Sequence, residues 1–179
     1  DLFAGIGGFH WALKEMDYEC LLAVEKDEAA KEIYRRNFKE KKRRGKPTLN
    51  KLIGDIRSLT RSKPEDESTE IKPPEIAARF IEEFKIKVGD VGVICGGFPC
   101  QPFSKTGAQL GDKDATRGTL FHDILLLTEA LKPEYLILEN VRNLAGDNHK
   151  HTLEIIVKRI DTLGYEIEKK PITLSHHQL

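Results

Sequence analysis

The sequence predicts an α/β fold, a mostly parallel sheet with helices on both faces, and three observations carry that expectation. Short apolar runs alternate with stretches of helical period: Leu21-Leu22-Ala23-Val24, Leu52-Ile53-Gly54-Asp55-Ile56, Val91-Gly92-Val93-Ile94-Cys95 and Tyr135-Leu136-Ile137-Leu138. The runs are continuously apolar, as in strands buried on both sides of a parallel sheet. Most of them also lead straight into residues that carry chemistry. No internal repeat interrupts the pattern.

Taken in order, Asp1-Leu2-Phe3 reads as the stub of a first strand and Ala4-Gly5-Ile6-Gly7-Gly8 as a glycine turn. A helix from Phe9 to about Met16 follows, then the strand Leu21–Val24, which ends in Glu25. Asp27 is placed to cap a helix over Glu28–Phe38, with the basic cluster Lys39–Arg44 after it as a solvated face. The run Leu52–Ile56 holds a further acid, Asp55. Residues 60–72 are rich in Ser, Lys, Glu and Asp and read as an exposed polar insertion rather than a domain boundary. Pro74–Lys85 has an amphipathic pattern with proline at its start. After the strand Val91–Cys95, residues 98–117 show no period and form a long loop, a type that is often functional. Gly118–Leu131 is a helix strongly apolar on one face, stopped by Pro133. The strand Tyr135–Leu138 then runs into Glu139-Asn140. A helix from about Thr152 to Leu163 ends at Gly164, and Tyr165–Leu174 alternates like a strand.

The chain has 179 residues, 39% apolar and 32% charged, enough for one domain with a buried core. No apolar run nears the roughly 20 residues of a membrane-spanning helix, and the opening residues do not read as a signal peptide. Cys20, Cys95 and Cys100 are odd in number and lack the CxxC spacing, which speaks against a disulfide framework or a cysteine zinc site. His176-His177 do not suggest a metal, because neighbours on a strand point to opposite faces. The formal net charge is zero. Any contact with nucleic acid must therefore be local or made by other parts of the protein. Both ends read as cut, at Asp1 and after Gln178-Leu179, so the expectation is a piece of a larger protein.

In parallel α/β sheets ligands bind at the carboxyl ends of the strands. Here that edge would collect the glycine turn, Glu25, Asp55, the segment Phe98-Pro99-Cys100 and Glu139-Asn140-Val141. The turn departs from GxGxxG because His10 stands where the third glycine belongs. Glu25, about twenty residues on, is spaced like an acid that holds a ribose diol. Turn and acid together point to a nucleoside-containing cofactor, with a nicotinamide dinucleotide disfavoured. Asp55 reads equally as a helix cap or loop acid and as an acceptor for an adenine amine. Cys20 and Cys95 have the setting of small buried hydrophobes. Cys100 instead leaves the strand into a loop between two prolines that restrict φ and fix the direction of its side chain. On local chemistry alone a nucleophile and a structural thiol both stay open for it. Glu139 is either an ordinary acid at a strand end or, beside a nucleophilic cysteine, a carboxyl that exchanges a proton with the substrate.

The motifs, in order, are Asp1-Leu2-Phe3-Ala4-Gly5-Ile6-Gly7-Gly8-Phe9, Glu25, Gly54-Asp55-Ile56, Gly97-Phe98-Pro99-Cys100-Gln101-Pro102-Phe103-Ser104, Arg117-Gly118-Thr119-Leu120-Phe121 and Glu139-Asn140-Val141. Together they resemble the catalytic domain of DNA (cytosine-5) methyltransferases along nearly the whole chain, the 60–72 insertion excepted. The resemblance implies a Rossmann-like S-adenosylmethionine-dependent methyltransferase fold, truncated before its last strands. It implies one cofactor-binding and catalytic domain over 1–179, without the target-recognition domain. Cys100 and Glu139 become the catalytic pair, acting on a cytosine flipped out of double-stranded DNA. Phe3, Ala4, Gly5, Ile6, Gly7 and Gly8 fall to the S-adenosylmethionine site, with Phe3, Gly5 and Gly7 at its methionine part. Glu25 would hold the ribose hydroxyls. Asp55 and Ile56 lie on the adenine side, with Lys26 where many members carry an aromatic or apolar residue. Pro99 and Leu120 would line the pocket between cofactor and base. Gln101, Ser104, Arg117, Asn140 and Val141 fall to the DNA side, Ser104 as a phosphate contact in a mobile loop.

The resemblance further implies a bacterial restriction-modification methylase. It would act in the cytoplasm on the nucleoid, as a monomer at full length, alongside a cognate restriction endonuclease. The chain by itself is expected not to methylate DNA, because the arginine-bearing motif beyond Leu179 is absent. Two other readings compete, a transfer RNA cytosine-5 methyltransferase and a catalytically inactive regulatory homologue. Gln101-Pro102-Phe103-Ser104 favours DNA over transfer RNA, and intact Cys100 and Glu139 count against an inactive homologue.

Overall fold

The computed structural model describes residues 1–38, 51–99, 116, 119–167 and 171–174. They fall into two compact units, Asp1–Phe98 with Leu126–Glu139, and Pro99–Leu125 with Asn140–Leu179.

The first unit holds four parallel strands, β1 (Leu22–Val24), β2 (Lys51–Ile53), β3 (Val93–Gly97) and β4 (Tyr135–Glu139). β1 pairs with β2 and β3 with β4, the latter in the register Val93↔Tyr135 to Gly97↔Glu139. The predicted first strand is reduced to Leu2, which bridges Val24 on one side and Gly96 on the other, both parallel. One sheet results, ordered β2-β1-Leu2-β3-β4. Its seam is closed by Leu2 N–H donating to Cys95 O at 2.7 Å, Ala4 N–H to Val24 O at 2.9 Å and Val24 N–H to Asp1 O at 2.8 Å. Chain order reverses at Leu2, since β1 and β2 build outward one way and β3 and β4 the other. Such reversal points open a crevice at the carboxyl ends of the strands.

Space at the seam is scarce. A Cβ on Gly96 would lie 2.2 Å from the Leu2 carbonyl oxygen and 3.0 Å from its Cβ, so only glycine lets the two backbones meet. Burial follows position in the sheet. β1 is buried throughout and β3 along its middle, whereas β2 is at most half-buried. β4 was expected to be a buried strand, yet Tyr135 and Ile137 are exposed. The exposure alternates, Tyr135, Ile137 and Glu139 being exposed and Leu136 and Leu138 half-buried, so it is one face of this strand that the described residues leave uncovered.

Around this sheet the helices follow the sequence pattern with shifted ends. α1 spans Gly8–Glu15, and α2 spans Glu28–Asn37 with Asp27 Oδ1 accepting the Ala30 N–H at 2.7 Å as its cap. α3 is a single turn, Arg57–Thr60. α4 (Pro73–Arg79) opens on proline, as predicted, but its expected last stretch widens into a π turn over Phe80–Phe84, ended by Lys85 at φ 60°. The 60–72 stretch is a closed polar loop: Arg61 bridges Glu70, Ile71 N–H donates to Thr60 O, and Thr60 and Arg61 are buried. α5 (Leu120–Leu131) is buried along nearly its whole length, Asp123 included, and not on one face only. A helix apolar on most sides is the kind that burial on all sides stabilises.

In the second unit two 3₁₀ turns, Arg142–Ala145 and Asp147–His149, lead into α6 (Lys150–Thr162). Ile155, Ile156 and Ile160 of α6 are buried, as is Leu144. The strand expected over Tyr165–Leu174 is not found among its described residues, 165–167 and 171–174. Alternation makes a strand only where a neighbour completes the ladder, and no described residue pairs there.

The seam supplies a first test. Gly96→Ala should destabilise the domain by about 3 kcal/mol, the upper range for overpacking, because backbone rather than a flexible side chain must move. Urea unfolding monitored by circular dichroism measures it, and a loss near zero would show that the seam is loose.

Candidate active site

The glycine turn is bent back on itself. Phe3, Gly5 and Gly7 all have positive φ, at 55°, 54° and 99°, and Gly7 N–H donates to Ala4 O at 2.8 Å. Gly7 admits no side chain, since its Cβ would fall 2.1 Å from the Phe38 ring. On the outside the loop is open: a Cβ at Gly5 or Gly8 would meet nothing within 4 Å, and Ile6 is exposed. Asn37 Nδ2 ties the loop to α2 by donating to Ile6 O at 2.9 Å.

Glu25, at the tip of β1, organises this region. Its Oε2 accepts the Gly5 N–H and its Oε1 the Asp27 N–H, each at 2.7 Å. One carboxylate thus fixes the turn after the first strand and the entry to α2. A carboxylate has about four lone-pair sites, so capacity remains for two ligand hydroxyls. An open turn beside a half-buried carboxylate leaves room and acceptor capacity for a pair of ligand hydroxyls.

Beneath the turn lies a cluster that sequence reasoning missed. His10, read only as a departure from GxGxxG, is buried and stacks on Phe38 at 3.7 Å between ring centroids. Its Nδ1 is hydrogen-bonded to Tyr34 Oη at 2.6 Å. Burial above all pulls the imidazole down to about 4. The Tyr34 hydroxyl is pushed far up, first by burial and then by the neighbouring Cys20. Cys20 Sγ is 3.7 Å from Tyr34 Oη and donates to Leu22 O at 3.5 Å. Cys95 is buried, and burial raises its thiol, which makes it a poor nucleophile. The helical spacing of Tyr34 and Phe38 was the available signal for this pillar.

Asp55 is already engaged. Arg57 Nη2 donates to its Oδ2 at 2.7 Å, Arg57 Nε spans both oxygens at 3.1 and 3.2 Å, and Arg57 N–H reaches Oδ1 at 3.0 Å. Lys26 Nζ lies 3.3 Å from Oδ2. Hydrogen bonds from the Arg57 side chain, more than any other cause, hold this carboxyl well below the usual carboxylate range. The cap-like role in the turn before α3 is therefore present, and an adenine amine would have to share the carboxylate with two cations. Ile56 beside it is almost fully buried.

At the other side of the seam, Glu139 ends β4 in register with Gly97, the last residue of β3. Its partner in the sequence reading, Cys100, lies outside the described residues, as do Gln101, Ser104 and Arg117. Within the second unit Pro99 is exposed and Leu120 half-buried. Asn140 Oδ1 accepts the Val141 N–H at 2.9 Å, and Val141 is exposed. The structure thus brings the turn, Glu25, Lys26, Asp55, Ile56 and Glu139 to the carboxyl edge of one sheet. Among the described residues no group of His, Cys, Asp and Glu could hold a metal, and no helix is long and apolar enough to cross a membrane.

A parallel sheet that reverses at its first strand, with a glycine turn there and an acid at the next tip, is a Rossmann-like doubly wound fold. The solved structure of a protein assigned as a DNA modification methyltransferase of an Escherichia coli prophage has this fold too. It matches with a TM-score of 0.57 at 22% identity, over 90% of this chain and 37% of that one. The chain itself belongs to the C-5 cytosine-specific DNA methylase family, whose model matches residues 1–176. It is 40% identical over its whole length to Type II methyltransferase M.AluI of Cellulosimicrobium cellulans, covering 29% of that protein. It is 34% identical to Type II methyltransferase M.HhaI of Haemophilus parahaemolyticus, over 95% of this chain and 41% of the relative. A DNA-cytosine methyltransferase of Escherichia coli K12 is 33% identical over 93% of this chain and 34% of its own length. The chain therefore spans well under half the length of these curated relatives.

The His10 pillar predicts a pH dependence. Folded, His10 stays neutral down to about 4, whereas the unfolded chain takes up a proton near 6.5. The unfolded state binds more protons between those values, so stability is full above 6.5 and falls as the pH drops toward 4. The loss expected is roughly 3 kcal/mol. Urea unfolding across this window measures it, and His10→Phe should flatten that part of the profile. An unchanged slope in the variant would reject the assignment.

Proposed function

We propose that this domain transfers a methyl group from S-adenosylmethionine to C5 of a cytosine flipped out of double-stranded DNA, in a bacterial restriction-modification methylase. The observation that carries the reading is the β3–β4 register within a chain of this family. It sets Glu139 beside the end of β3, the strand whose continuation in sequence is Phe98-Pro99-Cys100.

S-adenosylmethionine, when bound, supplies a methyl group on a positively charged sulfur, electrophilic toward carbon. The residues that would hold it are the turn Phe3–Gly8, Glu25 at the ribose hydroxyls, and Asp55, Ile56 and Lys26 on the adenine side. Pro99 and Leu120 would line the passage to the base. C5 of cytosine is a weak nucleophile, which is why covalent activation is needed. The Cys100 thiolate adds to C6, and the displaced π electrons build up at C5 and along the ring toward N3. Glu139, hydrogen-bonding or protonating N3, stabilises that charge where it develops. Once C5 carries the methyl group, loss of its proton to a base and expulsion of the thiolate restore the ring. Gln101, Ser104, Arg117, Asn140 and Val141 serve the DNA side, Ser104 at a phosphate. The full-length protein acts as a monomer on the nucleoid in the cytoplasm, paired with a cognate endonuclease.

Fluorine at C5 blocks the last step, because it cannot leave as a proton does. Full-length protein incubated with S-adenosylmethionine and duplex DNA containing 5-fluorocytosine should form an adduct that survives denaturing electrophoresis. Cys100→Ser should abolish it. An adduct that persists in the variant would remove Cys100 from the mechanism, and no adduct in the native protein would remove the mechanism itself.

A further inference from the structure

Gly97 differs from its neighbour Gly96 in what it makes room for. Gly96 admits backbone, the Leu2 carbonyl. At Gly97 a Cβ would stand 2.8 Å from Glu139 Oε2 and 3.9 Å from its Cδ. The two residues are register partners across β3 and β4. In parallel strands partnered side chains leave the same face side by side, so the Glu139 carboxylate lies over the gap that Gly97 leaves on β3. Any other residue there would put a carbon 2.8 Å from the carboxylate oxygen, closer than such atoms stand in contact.

We propose that Gly97 is the positioning residue for Glu139: its missing side chain lets the carboxylate lean back over β3, the strand that runs on toward Cys100. The proposal rests on the reading of Glu139 as the carboxyl that acts on the base. Gly97 does not need glycine for its backbone, since its φ is outside the left-handed region, unlike those of Gly5 and Gly7. The atom it would meet is the far end of an exposed, flexible side chain. An alanine at 97 is therefore accommodated by swinging the carboxylate away. The fold survives and the geometry of catalysis does not. Sequence reasoning counted this glycine only as part of the motif around Cys100.

The test uses the full-length protein with Gly97→Ala, Glu139→Ala, Glu139→Gln and the double variant Gly97→Ala/Glu139→Ala. Single-turnover methyl transfer should fall on the order of 10- to 100-fold in Gly97→Ala, as expected when a reacting group is displaced by about 1 Å. Its thermal midpoint and its KM for S-adenosylmethionine should stay near those of the native protein. In the Glu139→Ala background the same glycine substitution should cause no further loss of rate, because its effect passes through that carboxylate alone. A merely structural glycine would lower both backgrounds alike, and that result overturns the proposal. So does full activity in Gly97→Ala while both Glu139 variants are impaired, which leaves the role of Glu139 standing. Full activity in the Glu139 variants instead defeats the reading of Glu139 and this proposal with it. If Gly97→Ala fails to fold, folding restored in the double variant confirms the clash with the carboxylate. If the double variant also fails, the obstruction is backbone and the proposal is wrong.

Discussion

The structure depends on one close approach, the insertion of Leu2 between Val24 and Gly96. A single residue in extended conformation there turns two strand pairs into one sheet, since Leu2 is bridged on both sides. The bonds are short and the Leu2 oxygen fills the space a Cβ on Gly96 would need. With so short a first strand, the turn that follows begins at the sheet's midline. Phe3 already has φ 55°, and the chain folds back through Gly5 and Gly7 into α1. The position of the turn is thus a consequence of the seam. Glu25 is tied to that turn through the Gly5 N–H, and the Phe38 ring of the His10–Tyr34–Phe38 pillar packs against it at Gly7.

The sheet was legible because its inner strands are short, apolar and bounded by turn residues, and periodicity reports burial on both faces directly. The edges were read less well. Tyr135-Leu136-Ile137-Leu138 has the same apolar character as the inner runs, yet Tyr135 and Ile137 are exposed. Composition cannot say which face of a strand goes uncovered. The alternation of Tyr165–Leu174 misled for a related reason, because a strand is made by pairing and no described residue pairs with it. For the candidate site, residue types and their order placed the turn, Glu25 and Glu139 at the carboxyl edge of the sheet, where the structure has them. What they could not give was the second partner of each group. Arg57 on Asp55, Asp27 N–H on Glu25 and Gly97 under Glu139 are all set by backbone path. His10 drew attention only as a glycine that was missing, when it is the ring that supports the turn from below.

Charge is distributed in a way that the net value of zero conceals. Just beyond the end of β2, Lys26 and Arg57 converge on the single carboxylate of Asp55. The two cations do not contribute equally. Lys26 is 74% exposed and Arg57 24%, so the lysine pair is screened and worth little, whereas the guanidinium is held by several bonds. A ligand amine approaching Asp55 competes in practice with the mobile ammonium and leaves the Arg57 arrangement in place. An exposed lysine beside a planar ring also has a use of its own, because its aliphatic stem can cover apolar surface while the ammonium stays in water.

The two sides of the site are held by different physics. At the tip of β1, Glu25 is pinned at both oxygens by backbone N–H groups, and those groups are fixed by the seam and by the start of α2. Its lone pairs are oriented before any ligand arrives, so little ordering remains to be done on binding. Glu139 sits instead at the end of an exposed edge strand, and its carboxylate lies where a neighbouring glycine leaves room. Steric allowance of this kind permits a position without locking it. Rigidity is thus concentrated at Glu25, where two backbone N–H groups hold the carboxylate, and latitude at Glu139, where the room left by Gly97 decides how far the carboxylate can lean.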